Sequence, residues 1–127
     1  GMCGLLPDPA RHGDRLRIRS IVGEFLEHSR MYRFADDDGA EWLVGSADLM
    51  ERNLDWRVEC AFPIYDEHLQ QEVLDLLHLQ IHDTCKARIL DATQSNAYVD
   101  DRRGGLRAQT ATYAYYIEQW KRSLPTG

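Results

Sequence analysis

Hydrophobic positions follow two different periods along the chain, and the change between them predicts a mixed fold. In the first half, short apolar runs alternate with polar residues at a period of two, which is typical of half-buried strands. The predicted strands are Leu16 to Arg19, Met31 to Phe34, Trp42 to Val44 and Val58 to Ile64. After Pro63 the period becomes helical and predicts a long helix from Glu67 to Arg88. Strands and helices packed in layers predict an α/β fold, with α+β as the alternative.

Two further helices are predicted from apolar stripes. Ile21, Phe25 and His28 fall at i, i+4 and i+7, which predicts a short helix beginning at Ser20. The stripe of the last helix contains Leu106, Tyr113, Ile117, Trp120 and Leu124. This spacing places Tyr113 and Trp120 in the core.

The connecting segments are rich in turn-forming residues. The stretch "LLPDPARHGD" has two prolines and a glycine, so it predicts an irregular lead-in. The stretch "ADDDGAE" predicts a turn between two strands. A loop or single helical turn is expected at "SADLMERN", capped by Ser46 or Asp48.

Length, charge and cysteine content limit the class of protein. A chain of 127 residues predicts one domain, residues 1–127. The net charge of −6 argues against non-specific binding of nucleic acid. No apolar run reaches the roughly 20 residues of a membrane span, and no signal peptide is recognisable, so a cytoplasmic location is expected. Cys3, Cys60 and Cys85 are far apart and odd in number, which predicts reduced thiols and no zinc site.

A histidine, an arginine and a Gly-Ser pair lie close together along the first half. His28 lies on the edge of the predicted helical stripe, where a histidine is commonly buried and bonded to a neighbour. The alternative is an anion site. Arg30 offers a planar fork for phosphate oxygens, and Ser46 and Asn53 offer a hydroxyl and an amide near a strand end.

Other candidate sites are weaker. His78 and His82 have the i, i+4 spacing of metal ligands but lie on the polar face of a helix, where solvated side chains are usual. The "ADDDG" run lacks the remaining ligands of a calcium loop. No metal site is therefore predicted.

Four stretches together resemble the C-terminal, second phospholipase D-like domain of bacterial polyphosphate kinase. They are "GMCGLLPD", "RIRSIVGEFLEHSRMYRF", "GSADLMERNLDWRVECAFPI" and "KARILD" followed by "YV". The resemblance covers nearly the whole chain. It implies a phospholipase D-like sheet flanked by helices, and an enzyme that reversibly transfers the terminal phosphate of ATP, with magnesium, to inorganic polyphosphate.

The resemblance also assigns roles to individual residues. His28 matches a histidine that contacts the nucleotide phosphates and assists the transfer. Arg30 takes the place of a lysine in the superfamily's His-x-Lys, and Ser46 and Asn53 match its Gly-Ser…Asn element. The phosphohistidine of the family lies in the preceding domain, so this chain alone is expected to be inactive. If the chain is part of a longer protein, the resemblance implies that its partners are the upstream kinase domains. The resemblance leaves open whether a full-length enzyme of this family associates with a membrane.

Two positions depart from the family pattern, in which Glu24 and Trp56 are usually arginine. Glu24 lies four residues before His28, so on the predicted helix its carboxylate would neighbour the imidazole and repel phosphate. Weakened binding of nucleotide and polyphosphate is therefore expected.

Two other functions remain open. One is a non-catalytic, stand-alone domain that docks onto a partner or binds a polyanion. The other is a compact phosphodiesterase, which would need a homo-oligomer because phospholipase D-like sites combine two histidine motifs.

Overall fold

The computed structural model describes residues 9–99 and 105–125. Cys3 lies outside these residues, whereas Cys60 and Cys85 are free thiols. The described residues form two compact units, one of Leu26–Leu77 and one of residues 9–25, 78–99 and 105–125. Helices are interspersed with antiparallel strands along the chain, which confirms the predicted mixed fold of α/β type.

The first unit contains a three-stranded antiparallel sheet. Its strands are β2 (Met31–Asp36), β3 (Gly39–Gly45) and β4 (Ala61–Pro63), in the order β2-β3-β4. The β2–β3 turn is held by Asp36, whose Oδ1 accepts the backbone N–H groups of Asp38 at 3.0 Å and Gly39 at 3.1 Å. Gly39 has φ +150°, which residues with a Cβ rarely adopt. Local turn chemistry therefore forms this hairpin, as the sequence predicts.

The core of this sheet is centred on Trp42 of β3, which is 6% exposed. The Arg33 guanidinium lies 5.2 Å from the centroid of the Trp42 ring and makes a cation–π contact. Many other large apolar side chains of the unit are exposed, including Phe34 and Tyr65. The packed core is therefore small.

Two helices begin in the first unit. The short helix α2 (Glu51–Leu54) has Met50 at its N-cap position and no side-chain cap. The predicted cap by Ser46 or Asp48 is thus wrong, because both side chains have other partners. The helix α3 (Glu67–Ile81) begins after Asp66, whose Oδ1 accepts the N–H groups of His68 and Leu69 at 2.9 and 3.0 Å.

The second unit pairs β1 (Ile18–Ile21) with β5 (Ala87–Leu90) in antiparallel register and adds α4 (Ala108–Ser123). The predicted irregular lead-in is partly wrong, because α1 (Pro9–His12) and a 3₁₀ turn at Gly13–Arg15 precede β1. None of the helices in the described ranges is long and apolar enough to cross a membrane.

The centre of the second unit is a buried carboxylate. Asp83 is 0% exposed, and its Oδ1 accepts the N–H groups of Lys86 at 2.6 Å and Ala87 at 2.9 Å. Its Oδ2 accepts the N–H of Ala108, the first residue of α4, at 2.7 Å. Burial alone raises the pKa of Asp83, but the hydrogen bonds from Ala108 and Lys86 outweigh it and the pKa is lowered. Asp83 therefore joins the start of β5 to the start of α4.

The helix predicted from Ser20 is wrong. Ile21 is the last residue of β1 and pairs with Ala87, and residues 22–30 are irregular. Gln109 satisfies the backbone here: its Oε1 accepts the N–H of Glu24 at 2.8 Å, and its Nε2 donates to Phe25 O at 2.7 Å. Gly23 permits this approach, because a Cβ there would lie 2.2 Å from Gln109 Oε1. Tertiary hydrogen bonds thus replace those of the predicted helix.

The other two helix predictions fail in part. The helix predicted to reach Arg88 ends at Ile81, because Asp83 accepts backbone N–H groups that a continuing helix would use. In α4, Tyr113 is 70% exposed and Trp120 is 63% exposed, so their predicted place in the core is wrong.

Candidate functional site

The β2–β3 hairpin brings the predicted site segments together. His28 precedes β2 and Ser46 follows β3, so both lie at the open end of the antiparallel pair, which begins with Met31 opposite Val44. One more bond extends the ladder, from Gly45 N to Arg30 O at 3.0 Å. A short antiparallel hairpin therefore places these two motifs, which are close along the sequence, at the same end of the sheet.

Gly45 allows the end of β3 to approach the strand that follows α2. A Cβ at position 45 would lie 2.9 Å from the carbonyl oxygen of Cys60. The next amide, Ser46 N, donates to that same oxygen at 2.9 Å. Glycine at this position thus holds Ser46 against Cys60, and a side chain would push the two apart.

Arg30 links the segment before β2 to the loop after β3. Its Nε and Nη2 donate to Oδ1 of Asp48 at 3.0 and 2.8 Å, and its Nη1 donates to the carbonyl oxygen of His28 at 2.6 Å. The Arg30 side chain is 21% exposed and that of Asp48 is 39% exposed. The hydrogen bond from Arg30 lowers the pKa of Asp48, so this carboxylate is ionised at neutral pH. A second bond joins β2 itself to this loop, from Tyr32 OH to Ala47 O at 2.7 Å.

Glu59 is the acceptor for two of the predicted phosphate ligands. Ser46 Oγ donates a short hydrogen bond to Glu59 Oε2, and Asn53 Nδ2 donates to Glu59 Oε1 at 2.8 Å. The Ser46 hydroxyl in turn accepts the N–H of Cys60 at 3.1 Å. The hydrogen bonds from Ser46 and then Asn53 lower the pKa of Glu59. An ionised carboxylate therefore fixes the orientation of both side chains.

The four predicted site residues differ in accessibility. Asn53 is 2% exposed, and its Oδ1 is buried with no hydrogen-bond partner in the described part of the chain. Ser46 is exposed, and Arg30 is half-buried. His28 is exposed, and its ring makes no hydrogen bond to any residue within 9–99 or 105–125. The alternative of a buried, internally bonded His28 is therefore wrong.

Sequence reasoning missed Asp48 and Glu59 as members of this site. Asp48 was expected only as a helix cap, although it lies two residues after Ser46 in the same loop. Glu59 directly precedes Cys60, whose backbone pairs with Ser46. Its place in the predicted strand Val58 to Ile64 was the signal that could have found it.

The expected interference by Glu24 loses its structural basis. Residues 22–30 are not helical, so an i, i+4 pairing of Glu24 with His28 does not exist. The Glu24 carboxylate instead pairs with Arg107, from Oε1 to Nη2 at 2.7 Å. The hydrogen bond from Arg107 lowers the pKa of Glu24. The other departure from the family pattern, Trp56, is 80% exposed.

The i, i+4 histidine pair lies at the end of α3, with His78 in the helix and His82 just after it. His82 Nδ1 lies 2.8 Å from the carbonyl oxygen of His78, and the two rings meet edge to face with centroids 5.8 Å apart. The described residues contain no group of three or more histidine, cysteine or acidic side chains that could hold a metal ion.

Comparison with known proteins places the chain in a family. The family described as "Polyphosphate kinase C-terminal domain 2" matches residues 1–109. The polyphosphate kinases of Vibrio cholerae and Escherichia coli are each 43% identical over 116 residues, which is 91% of this chain and 16% and 17% of theirs. A crystal structure of polyphosphate kinase from Porphyromonas gingivalis matches with a TM-score of 0.87 at 35% identity, covering 97% of this chain and 19% of that one. The chain thus spans about a sixth of the length of these curated relatives, and it belongs to the polyphosphate kinase C-terminal domain 2 family.

Proposed function

We propose that this chain supplies the nucleotide- and phosphate-contacting part of a polyphosphate kinase. The reaction is the reversible transfer of the terminal phosphate of ATP to inorganic polyphosphate. Family membership supports the reaction class. The observation that carries the site is the exposed His28 imidazole, on a segment whose backbone is bonded to Arg30.

The chemistry requires positioned donors more than a new nucleophile. Phosphoryl transfer is accelerated mainly by aligning the phosphates and stabilising the charge that develops on their oxygens. In this proposal the His28 imidazole donates a hydrogen bond or a proton to a phosphate oxygen. The exposed Ser46 follows β3 at the same end of the hairpin as His28, and the buried Asn53 acts through Glu59. ATP brings its magnesium as a substrate complex, in which phosphate oxygens and water are the main ligands of the ion.

Replacement of His28 in a full-length enzyme tests this role. A chimera in which this chain replaces the matching segment of the Vibrio cholerae relative would be assayed for polyphosphate synthesis from ATP. We expect His28→Ala to lower the rate by about 100-fold or more, the usual contribution of a positioned acid–base group. The matched control is His68→Ala, since His68 is also exposed but lies on α3. Equal activity of the two variants would contradict the proposal.

The isolated chain is expected to bind phosphates without completing the reaction. The resemblance places the phosphohistidine in a different domain, so incubation of the 127-residue chain with labelled ATP should give no acid-labile phosphohistidine and no polymer. A labelled histidine in this chain would require a different mechanism.

Exposed apolar side chains support a second role, docking onto the rest of a kinase chain. In the first unit Trp56 is 80% exposed and Tyr65 is 83% exposed, and burying such rings on a partner would be favourable. Size-exclusion chromatography with the preceding domains of a relative tests this role. Co-elution that is lost in a Trp56→Ser, Tyr65→Ser double variant supports docking, and independent elution of the unaltered chain argues against it.

A further inference from the structure

We propose that Arg30 is a positioning residue, which fixes the His28 backbone to the loop after β3, and that it is not a phosphate ligand. The inference rests on the proposed function and refines the role of one residue within it. It follows from the hydrogen bonds that the three guanidinium nitrogens of Arg30 make, and from the loss of those bonds if Arg30 turned toward a substrate.

All three nitrogens already have partners inside the protein. Nε and Nη2 share Oδ1 of Asp48 at 3.0 and 2.8 Å, and Nη1 donates to His28 O at 2.6 Å. A phosphate approaching Arg30 would meet a guanidinium whose charge is balanced by an adjacent carboxylate. It would have to displace Asp48 to gain a bidentate contact of the same kind.

The bonds of Arg30 also determine what its displacement would cost the site. The bond to His28 O is the side-chain contact that holds the backbone of the proposed catalytic residue. The bonds to Asp48 hold the loop that carries Ser46, together with the Tyr32 contact to Ala47 O. An arginine turned toward substrate would give up its bonds to both segments, so binding and positioning cannot both use its present donors.

Asp48→Ala distinguishes the two roles by the sign of its effect. If Arg30 were a ligand restrained by Asp48, removing the carboxylate would free the guanidinium and strengthen phosphate binding. If Arg30 is a positioning residue, Asp48→Ala should weaken binding as Arg30→Lys does. Alanine offers Arg30 no acceptor, and lysine keeps the charge but cannot bond Asp48 and His28 O together. Binding is measured by titrating the full chain with inorganic triphosphate and following the ring signal of His28 by NMR.

We expect each single variant to raise the Kd for triphosphate by about tenfold, the usual cost of losing a charge-assisted hydrogen bond. The double variant should show the same tenfold loss and not the product of two losses, since both substitutions break one contact. Arg33→Lys is the control, because Arg33 is a nearby cation on β2 that contacts Trp42. Tighter binding by Asp48→Ala, additive losses, or a normal Kd in Arg30→Lys would each overturn the inference.

A second measurement needs no phosphate and separates this inference from the proposed function. In the free protein, Arg30→Lys and Asp48→Ala should change the NMR chemical shift of the Ser29 amide, because that amide shares a peptide group with the His28 carbonyl that Arg30 bonds, while the β2–β3 amides keep their shifts. An unchanged Ser29 amide shift in both variants would overturn the positioning role. Failure of the unaltered chain to bind triphosphate, with Ser29 responding as expected, would refute the phosphate function alone.

Discussion

The two compact units are stabilised around different kinds of buried residue. The first has the indole of Trp42 at its centre, 6% exposed. The second has the carboxylate of Asp83, 0% exposed, and its buried neighbours Ala87 and Ala108 are small enough for their backbone N–H groups to reach it. A buried carboxylate is costly unless its oxygens are bonded, and here backbone donors supply those bonds. The first unit should therefore respond to lost volume, and the second to lost acceptors.

The largest effect is expected from Trp42→Ala. Removing a buried indole takes away apolar burial and leaves a cavity beneath the sheet, so the free energy of unfolding of the first unit should fall by about 3–5 kcal/mol. The loss is measured by unfolding the protein with denaturant and monitoring hydrogen exchange of the β2 and β3 amides.

Trp56→Ala is the matched control for this change, because Trp56 is in the same unit but 80% exposed. Its unfolding free energy should stay within about 0.5 kcal/mol of the unaltered value, as for most surface substitutions. Similar losses in the two variants would show that Trp42 is not the centre of the first unit.

The next largest effect is expected from Asp83→Ala, which leaves the N–H groups of Ala87 and Ala108 buried without an acceptor. Each orphaned donor costs about 1–3 kcal/mol, so a total near 3 kcal/mol is expected in the second unit. Asp83→Asn should cost less, because its amide oxygen can still accept from Lys86 and Ala87 in the place of Oδ1. Its NH₂ group would then face the N–H of Ala108, which Oδ2 accepts in the native chain.

Hydrogen exchange tells these two variants apart. In Asp83→Asn, the amide of Ala108 should exchange faster while that of Ala87 stays protected, whereas in Asp83→Ala both should lose protection. Equal protection of Ala108 in the native chain and in Asp83→Asn would mean that the start of α4 does not depend on this carboxylate.

The contrast between the units also shows which structural features could be predicted from the sequence. The β2–β3 hairpin was predictable because its signals are local: alternating apolar residues and an Asp-rich turn ending in Gly39. The family resemblance likewise predicted that His28 and Ser46 belong together. These features depend on residues close along the chain.

The failed predictions depend on distant residues. The stripe of Ile21, Phe25 and His28 matched a helix, but Gln109 binds that segment from 84 and 85 positions away. Arg88 was assigned to the preceding helix because the apolar period does not show that Asp83 captures the N–H groups of Lys86 and Ala87. The bond of Asp83 to the distant Ala108 is equally hidden in the sequence. In α4, the helical spacing of the apolar residues could not reveal that Tyr113 and Trp120 would be exposed in this chain. Long-range polar contacts are invisible to periodicity.

The smallest effect is expected at Asp91, which separates hydrogen bonding from burial. Like Asp83 it accepts several bonds, here from the hydroxyls of Thr93 and Ser95 and from Ser95 N–H, but it lies at the surface. The hydrogen bonds from Ser95 lower the pKa of Asp91 to about 2. The loop it holds contains Gln94 at φ 54° and Asn96 at φ 53°, conformations that need support.

Because the folded pKa of Asp91 lies below the unfolded value of about 3.9, its contribution is complete above pH 4 and is lost as pH falls through about 2. NMR of the Ser95 amide should therefore show one transition near pH 2, absent in Asp91→Asn, while unfolding of the chain at pH 7 is nearly unchanged by that substitution. A transition near pH 4 would mean that these bonds do not stabilise the ionised carboxylate. A large loss of stability at pH 7 would mean that hydrogen bonding matters as much at the surface as it does for the buried Asp83.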